Sequence, residues 1–364
     1  GVDIEGFKAE LQKQKNRSRA DAKKEAGDWI VVTEDEKEEF VGYDFTETDI
    51  RITRYREVSV KGKKQYHVVF NLTPFYAESG GQVGDKGVLI GKENNEKIGV
   101  LDTQKENQLI IHITEKLPEN LSQSFVGKVN IEKRNDTTLN HSATHLLQAA
   151  LREILGDHVA QKGSLVNEKY LRFDFAHFQK VDKADLEKIE ARVNEKIREA
   201  IALDEARNVP FDEAVSKGAM ALFGEKYGDT VRVITFDKDY SVELCGGTHV
   251  SNTAQIGSFK IVHEGAVAAG VRRIEAITGP KADAFIKDKL SLIEQIGAEL
   301  GNQQDLVKAI QNLQKENADL KAKVEGFEAG QLGDVKRTLL QSMQTQNGVN
   351  SIVEIIKVSN AGQA

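Results

Sequence analysis

His141-Ser-Ala-Thr-His145 and Cys245-Gly-Gly-Thr-His249 are the two strings of this chain whose residue types and spacing suit chemistry. Together they offer three imidazoles and one thiolate, a set that suits tetrahedral zinc. Histidines four apart on a helix project from one face, so one ion can bridge His141 and His145. Gly246 and Gly247 argue for a tight turn between Cys245 and His249 rather than a helix. The expectation is one Zn2+ per chain, held by His141, His145, Cys245 and His249. The competing reading is two unrelated pairs, with a decorative HxxxH and a cysteine serving as a small buried hydrophobe. Four protein ligands make a closed site of the structural kind, whereas a catalytic zinc keeps one position open.

The rest of the chain must position these residues. Its 364 residues, 39% hydrophobic and 29% charged, suit two or three globular domains with ample core. Cys245 is the only cysteine, so no intramolecular disulfide can form. That fits a reducing compartment, and a cytoplasmic protein is expected. No apolar run approaches a membrane span, and the first residues lack a signal peptide's apolar segment. The net charge of −7 weighs against a broadly nucleic-acid-binding surface but leaves room for local basic patches.

The texture along the chain predicts an α+β fold in successive modules. Residues 1–28 read as a linker helix with little to bury, the tail of something upstream. Residues 29–131 read as a β-barrel module of short alternating runs, with residues 61–64 at a hairpin tip. Its glycine-rich stretch, residues 73–87, lacks the GK[ST] and following helix of a phosphate loop, so a barrel turn is expected. Residues 132–282 read as an α+β domain. In it, Asn140 caps a helix that carries the histidine pair on its first turns, and Gly156 ends that helix. Asp182 caps a second helix running through Leu186, Ile189, Val193, Ile197 and Ile201. Residues 283–333 carry a heptad pattern that fits a coiled coil, with self-association, or a helical hairpin. Residues 334–364 read as the truncated start of a further domain, with a strand over 351–358.

Several separated strings, in this order, resemble the alanyl-tRNA synthetase family: residues 73–87, Asn140-His-Ser-Ala-Thr-His-Leu-Leu147, Gln161-Lys-Gly-Ser-Leu165, Leu171-Arg-Phe-Asp-Phe175, Glu243-Leu-Cys-Gly-Gly-Thr-His-Val250 and Gly270-Val-Arg-Arg-Ile-Glu-Ala276. They span roughly residues 29–280. The resemblance is to the family's editing region and the start of its C-terminal region; nothing resembles its ATP-dependent aminoacylation domain. It implies a deacylase that hydrolyses the ester of seryl- or glycyl-tRNA(Ala). Such a site is needed because a pocket made for alanine cannot exclude glycine and rejects one hydroxyl only weakly. The resemblance carries the zinc ligands onto the same four residues. It gives Thr144 a part in recognising the serine hydroxyl, and it assigns Gln161 and Arg272 to substrate and terminal-adenosine contacts. Gly80 and Gly81, with Gly84 and Gly87, belong to the module beside the site. Lys162, Arg272, Arg273 and residues 61–64 are candidates for the tRNA-facing surface.

Four other readings compete. One is a freestanding trans-editing deacylase of the same superfamily. The editing domain of threonyl-tRNA synthetase shares both histidine pairs but brings neither the glycine-rich module nor the heptads. The others are a zinc-stabilised RNA-binding module without hydrolysis and a coiled-coil scaffold with an inert head.

Overall fold

The computed structural model describes residues 25–34, 38–221, 227–353 and 355. The chain divides into two units, Gly1–Phe285 and Ile286–Ala364.

The first unit opens with eleven strands: β1 (Glu25–Ala26), β2 (Ile30–Val31), β3 (Glu39–Phe40), β4 (Glu47–Ile50), β5 (Ile52–Val60), β6 (Lys63–Phe70), β7 (Leu72–Thr73), β8 (Gly87–Gly91), β9 (Lys97–Glu106), β10 (Leu109–Thr114) and β11 (Phe125–Val129). Nine of them form one sheet in the order β1-β5-β6-β10-β9-β8-β11-β4, with β2 also on β5. Alternation sets its buried face. In β9, Ile98 and Val100 point inward between exposed Lys97 and Gly99. Ile50, Ile52, Phe70, Phe75, Leu89 and Phe125 complete that core. Lys61 and Gly62 both take positive φ (51° and 75°) and close the β5–β6 turn, which suits a two-residue hairpin.

The expected barrel is not closed. The ladder is an open path with β1 and β4 at its ends. β4 pairs with β11 and β5 with β6, so the chain changes partners at Arg51. The edge strand β4 therefore joins β5 through the covalent chain rather than through a ladder. Residues 1–24 of the expected linker helix lie outside the described residues. Glu25 and Ala26 pair with Ser59 and Val58 as a strand, so residues 25–28 are not helical.

The α+β layer follows, with α1 (Ile131–Leu155), β12 (Gln161–Val166), β13 (Leu171–Ala176), α2 (Lys183–Arg198), β14 (Asp204–Pro210), α3 (Phe211–Ser216), β15 (Thr230–Phe236), β16 (Ser241–Leu244), β17 (Phe259–Ala268) and β18 (Val271–Thr278). A four-stranded sheet runs β12-β13-β18-β17, and β14-β15-β16 forms a separate three-stranded one. Leu146, Leu147, Ala150 and Leu151 of α1 share a core with Ile189 and Val193 of α2, Phe173 and Phe175 of β13, and Ile274 of β18. Asp182 caps α2, accepting from the Asp185 N–H, and Ile201 lies beyond that helix's end.

One helix start needs correction. α1 is capped by Asn130, whose side chain accepts from Lys133 N, and not by Asn140. Asn140 is buried mid-helix, where Nδ2 donates to the Asn167 carbonyl (2.8 Å) and Oδ1 accepts from Thr278 Oγ1 (2.8 Å). The histidine pair therefore sits in the middle of α1 rather than on its first turns. Gly156 does end the helix, at φ 111°.

The second unit is entered within α4 (Gly279–Glu299) and continues in α5 (Leu306–Gln341). The break falls where Gly301 and Asn302 take positive φ. α5 is capped by Asp305, runs through Gly326, Gly330 and Gly333, and buries no residue. The heptad residues Ile293, Leu313, Leu320, Val324 and Phe327 are all exposed. A short hairpin of β19 (Gln344–Gln346) and β20 (Val349–Ser351) follows; of the strand expected over 351–358, Ser351 is in β20, Ile352, Val353 and Ile355 are in no strand, and the rest lies outside the described residues. Among the described residues, no helix is long and apolar enough to cross a membrane.

Candidate metal centre

α1 brings His141 and His145 onto one face, and the turn after β16 brings Cys245 and His249 against them. Their donor atoms all lie within 4.8 Å of one another. Cys245 Sγ is 3.4 Å from His141 Nε2 and 3.3 Å from His249 Nε2. A tetrahedral site with roughly 2.0–2.1 Å metal–nitrogen and 2.3 Å metal–sulfur bonds has edges of about 3.3–3.6 Å, which the two Cys245 distances match. Burial lowers the His141 pKa to about 3, and burial together with the neighbouring imidazoles holds His145 and His249 well below the ordinary value. Neutral imidazoles are the ligand form, so none of the three histidines has to shed a proton near pH 7.

The other ring nitrogens meet an outer layer. His141 Nδ1 lies 2.6 Å from Gln82 Oε1, and His249 Nδ1 lies 3.3 Å from Ser142 Oγ, which also accepts from the Val250 N–H. Such contacts orient histidine ligands. His145 Nδ1 is buried without a hydrogen-bond partner, with Glu243 Oε2 at 3.7 Å. Burial pushes the Glu243 carboxyl up to about 8, so it is largely protonated near neutrality. A neutral imidazole beside a neutral carboxyl at that distance is a polar contact rather than a salt bridge.

The ligand turn is clamped at its carbonyls. Arg232 Nη1 donates to the carbonyls of Cys245 (3.1 Å) and Gly247 (2.6 Å), and Tyr43 Oη donates to that of Gly246 (2.6 Å). Glu205 anchors the same guanidinium at 2.6 Å, and the Arg232 guanidinium carbon lies 4.0 Å from the centroid of the Tyr43 ring. The glycine-rich module is tied in by a buried pair. Arg134 of α1 donates through Nε to both carboxylate oxygens of Asp85 (3.0 and 2.9 Å), and its Nη atoms donate to the Gly42 and Pro74 carbonyls.

A cavity of about 70 Å³ opens against the cluster. Of the residues singled out from the sequence, Thr144, Gln161 and Gly80 line it together with His141, His145 and Cys245. Thr144 Oγ1 donates to the Asn140 carbonyl (2.8 Å). Its proton is thereby engaged, and its lone pairs remain to accept from a ligand. Gly81 packs on Ser164, where a β-carbon would lie 2.8 Å from the Ser164 carbonyl oxygen. The remaining candidates are not brought to the cavity. Lys162 is exposed on β12. Arg272 pairs with Glu264 (Nε–Oε1 2.6 Å) and Arg273 with Asp174 (2.6 Å), each on a strand of the four-stranded sheet. Of the hairpin-tip lysines, Lys64 pairs with Glu57 at 2.6 Å.

Gln82, Tyr43, Ser142, Arg232 and Glu243 were not singled out by sequence reasoning. Gln82, Ser142 and Glu243 fall inside or beside the motif strings, and that proximity was the one signal available. Tyr43 lies far from both motifs in sequence, Arg232 lies outside them on β15, and neither carries such a signal.

The sequence that builds this site matches known proteins. Residues 1–134 match the family model described as "tRNA synthetases class II (A)". Residues 231–275, which include Cys245 and His249, match "Threonyl and Alanyl tRNA synthetase second additional domain". The class is thus that of the aminoacyl-tRNA synthetases. Alanine--tRNA ligase of Cytophaga hutchinsonii is 52% identical over 96% of this chain and 40% of its own length. Those of Christiangramia forsetii and Bacteroides fragilis are 50% and 51% identical, over 99% and 96% of this chain. The chain belongs to the alanyl-tRNA synthetase family and spans about 40% of the length of these relatives.

Proposed function

We propose that this chain carries an editing site, which hydrolyses the ester of seryl- or glycyl-tRNA(Ala) in a cavity ordered by one zinc ion. The reading rests above all on the juxtaposition of Thr144 and Gln161 with His141, His145 and Cys245, three of the four candidate ligands, around a cavity of about 70 Å³. That volume suits a small side chain and a water molecule, whose share of liquid is about 30 Å³. His141, His145, Cys245 and His249 would hold the ion, which supplies positive charge to the cavity wall when bound. The chain's own groups do the rest. Thr144 Oγ1, its proton committed to Asn140, accepts from a serine hydroxyl, a contact that alanine cannot make. Gln161 offers an amide to the ester. The clamped turn excludes bulk water from one wall. An ester is already activated relative to an amide, so positioning carries much of the rate. Arg272, Arg273 and Lys162 are proposed as contacts for the acceptor end, in a cytoplasmic protein. Self-association is proposed through the exposed heptad face of α5.

A second reading, an RNA-binding module with a purely structural ion, is favoured by one observation: four protein ligands close a tetrahedral site. Incubating the chain with seryl-tRNA(Ala) and alanyl-tRNA(Ala) tests the choice. Faster release of serine than of alanine is expected. Binding of both tRNAs without release of either amino acid would select the structural reading.

A further inference from the structure

Gln82 comes from the glycine-rich module, yet it is fully buried against both halves of the metal cluster. Its amide has three close partners. Oε1 accepts from the Thr248 backbone N–H at 2.9 Å, Nε2 donates to Thr248 Oγ1 at 3.0 Å, and Oε1 lies 2.6 Å from His141 Nδ1. The first of these fixes the second and third. A backbone N–H can only donate, so the amide atom facing it must be the oxygen. That same oxygen faces His141 Nδ1, which must therefore carry the proton. The lone pair is then on Nε2, the atom 3.4 Å from Cys245 Sγ and aimed into the cluster.

We propose that Gln82 is a positioning residue for the metal centre. Through a single amide it selects the metal-binding tautomer of His141 and sets the register of the Cys-Gly-Gly-Thr-His turn against α1. The Thr248 contact is reinforced by Thr138 Oγ1, 2.8 Å from Thr248 Oγ1. The turn itself makes room, because Gly247 lets the Gln82 oxygen and the His141 ring approach together. One residue of the glycine-rich stretch between β7 and β8 thus joins two ligand pairs that lie about a hundred positions apart in sequence. The inference rests on the four side chains holding an ion. It does not depend on the hydrolysis proposed above.

The test uses Co2+ as the probe, titrated into the full chain after chelator treatment and followed by its thiolate-to-metal and d–d absorption. Gln82→Met keeps the length and removes the acceptor. Affinity should fall about ten- to a hundredfold, the usual cost of losing such a contact. Gln82→Glu restores an acceptor at the same place and should recover most of that loss. A merely structural residue would not show that pattern. In parallel, long-range proton–nitrogen NMR of the metal-free wild-type chain should find the His141 proton on Nδ1. Equal Co2+ affinity for Gln82→Met and wild type would overturn the proposal, as would an Nε2-protonated His141. If Gln82→Met does not fold, Gln82→Glu and the wild-type tautomer decide. If the wild-type chain binds no Co2+, the metal reading fails, and the tautomer alone decides the role of Gln82.

Discussion

A β-carbon on Gly247 would sit 2.0 Å from Cε1 and 2.3 Å from Nδ1 of His141. The glycine of the ligand turn and the first ligand of the helix therefore occupy one space, and only the absence of a side chain lets both stay. Gly247→Ala is expected to displace the His141 ring and to lower metal content well below one ion per chain. Overpacking of this kind costs about 1–3 kcal/mol. Elemental analysis together with urea unfolding checks both effects. Full metal content at unchanged stability would show that the turn relaxes freely.

Thr144→Val keeps the shape of the cavity wall and removes the hydroxyl. The Asn140 carbonyl loses only an extra donor, so stability should fall by about 1 kcal/mol or less. Seryl-tRNA hydrolysis should drop about tenfold relative to glycyl-tRNA hydrolysis, because only serine offers the group that Thr144 receives. Equal losses on both substrates would assign Thr144 to packing.

Asp85 and Arg134 are 7% and 5% exposed, and the guanidinium also holds the Gly42 and Pro74 carbonyls. Asp85→Ala leaves a buried cation without its partner and is expected to cost about 3–5 kcal/mol. Replacing both residues by apolar ones of similar volume should cost less than Asp85→Ala alone. Equilibrium unfolding of the single and double variants measures this. A single variant within 1 kcal/mol of wild type would contradict the role given to the pair.

His112 is enclosed between Phe70, stacked at 3.9 Å, and Phe75, with Thr73 Oγ1 at 2.7 Å from Nε2. Burial lowers its pKa to about 3, against an ordinary value of 6.5. The folded state thus holds it neutral while the unfolded state takes up a proton below pH 6.5. Its share of stability is complete above pH 6.5 and is lost as pH falls from there toward 3. The slope is at most about 1.4 kcal/mol per pH unit. His112→Asn should flatten the acid side of the stability profile by up to one proton, whatever its stability at pH 8. An unchanged slope would mean that His112 becomes protonated in the folded chain.

The parts of the fold that were legible are those with a local chemical cause. Cys245 and the three histidines were readable from ligand type and spacing, Gly156 and Asp182 from capping, and residues 61–64 from turn chemistry. The start of α1 was hidden because its first turns bury polar residues such as Arg134 and Thr137, which interrupt the apolar period. Barrel closure depends on where β4 hands over to β5 at Arg51, and alternation alone does not record a change of partner. Tyr43 acts on the Cys245 turn from a distant part of the chain, and Arg232 from the neighbouring strand β15. Only the folded structure brings them to it.

The central claim is that one ion, held by His141, His145, Cys245 and His249, orders a hydrolytic cavity. It is tested most directly by titrating zinc into the metal-free chain while following serine release from seryl-tRNA(Ala). The rate should rise linearly and level off at one equivalent, and Cys245→Ala should show no such rise. A metal-free chain that already hydrolyses at the full rate, with no response to zinc, would contradict the claim.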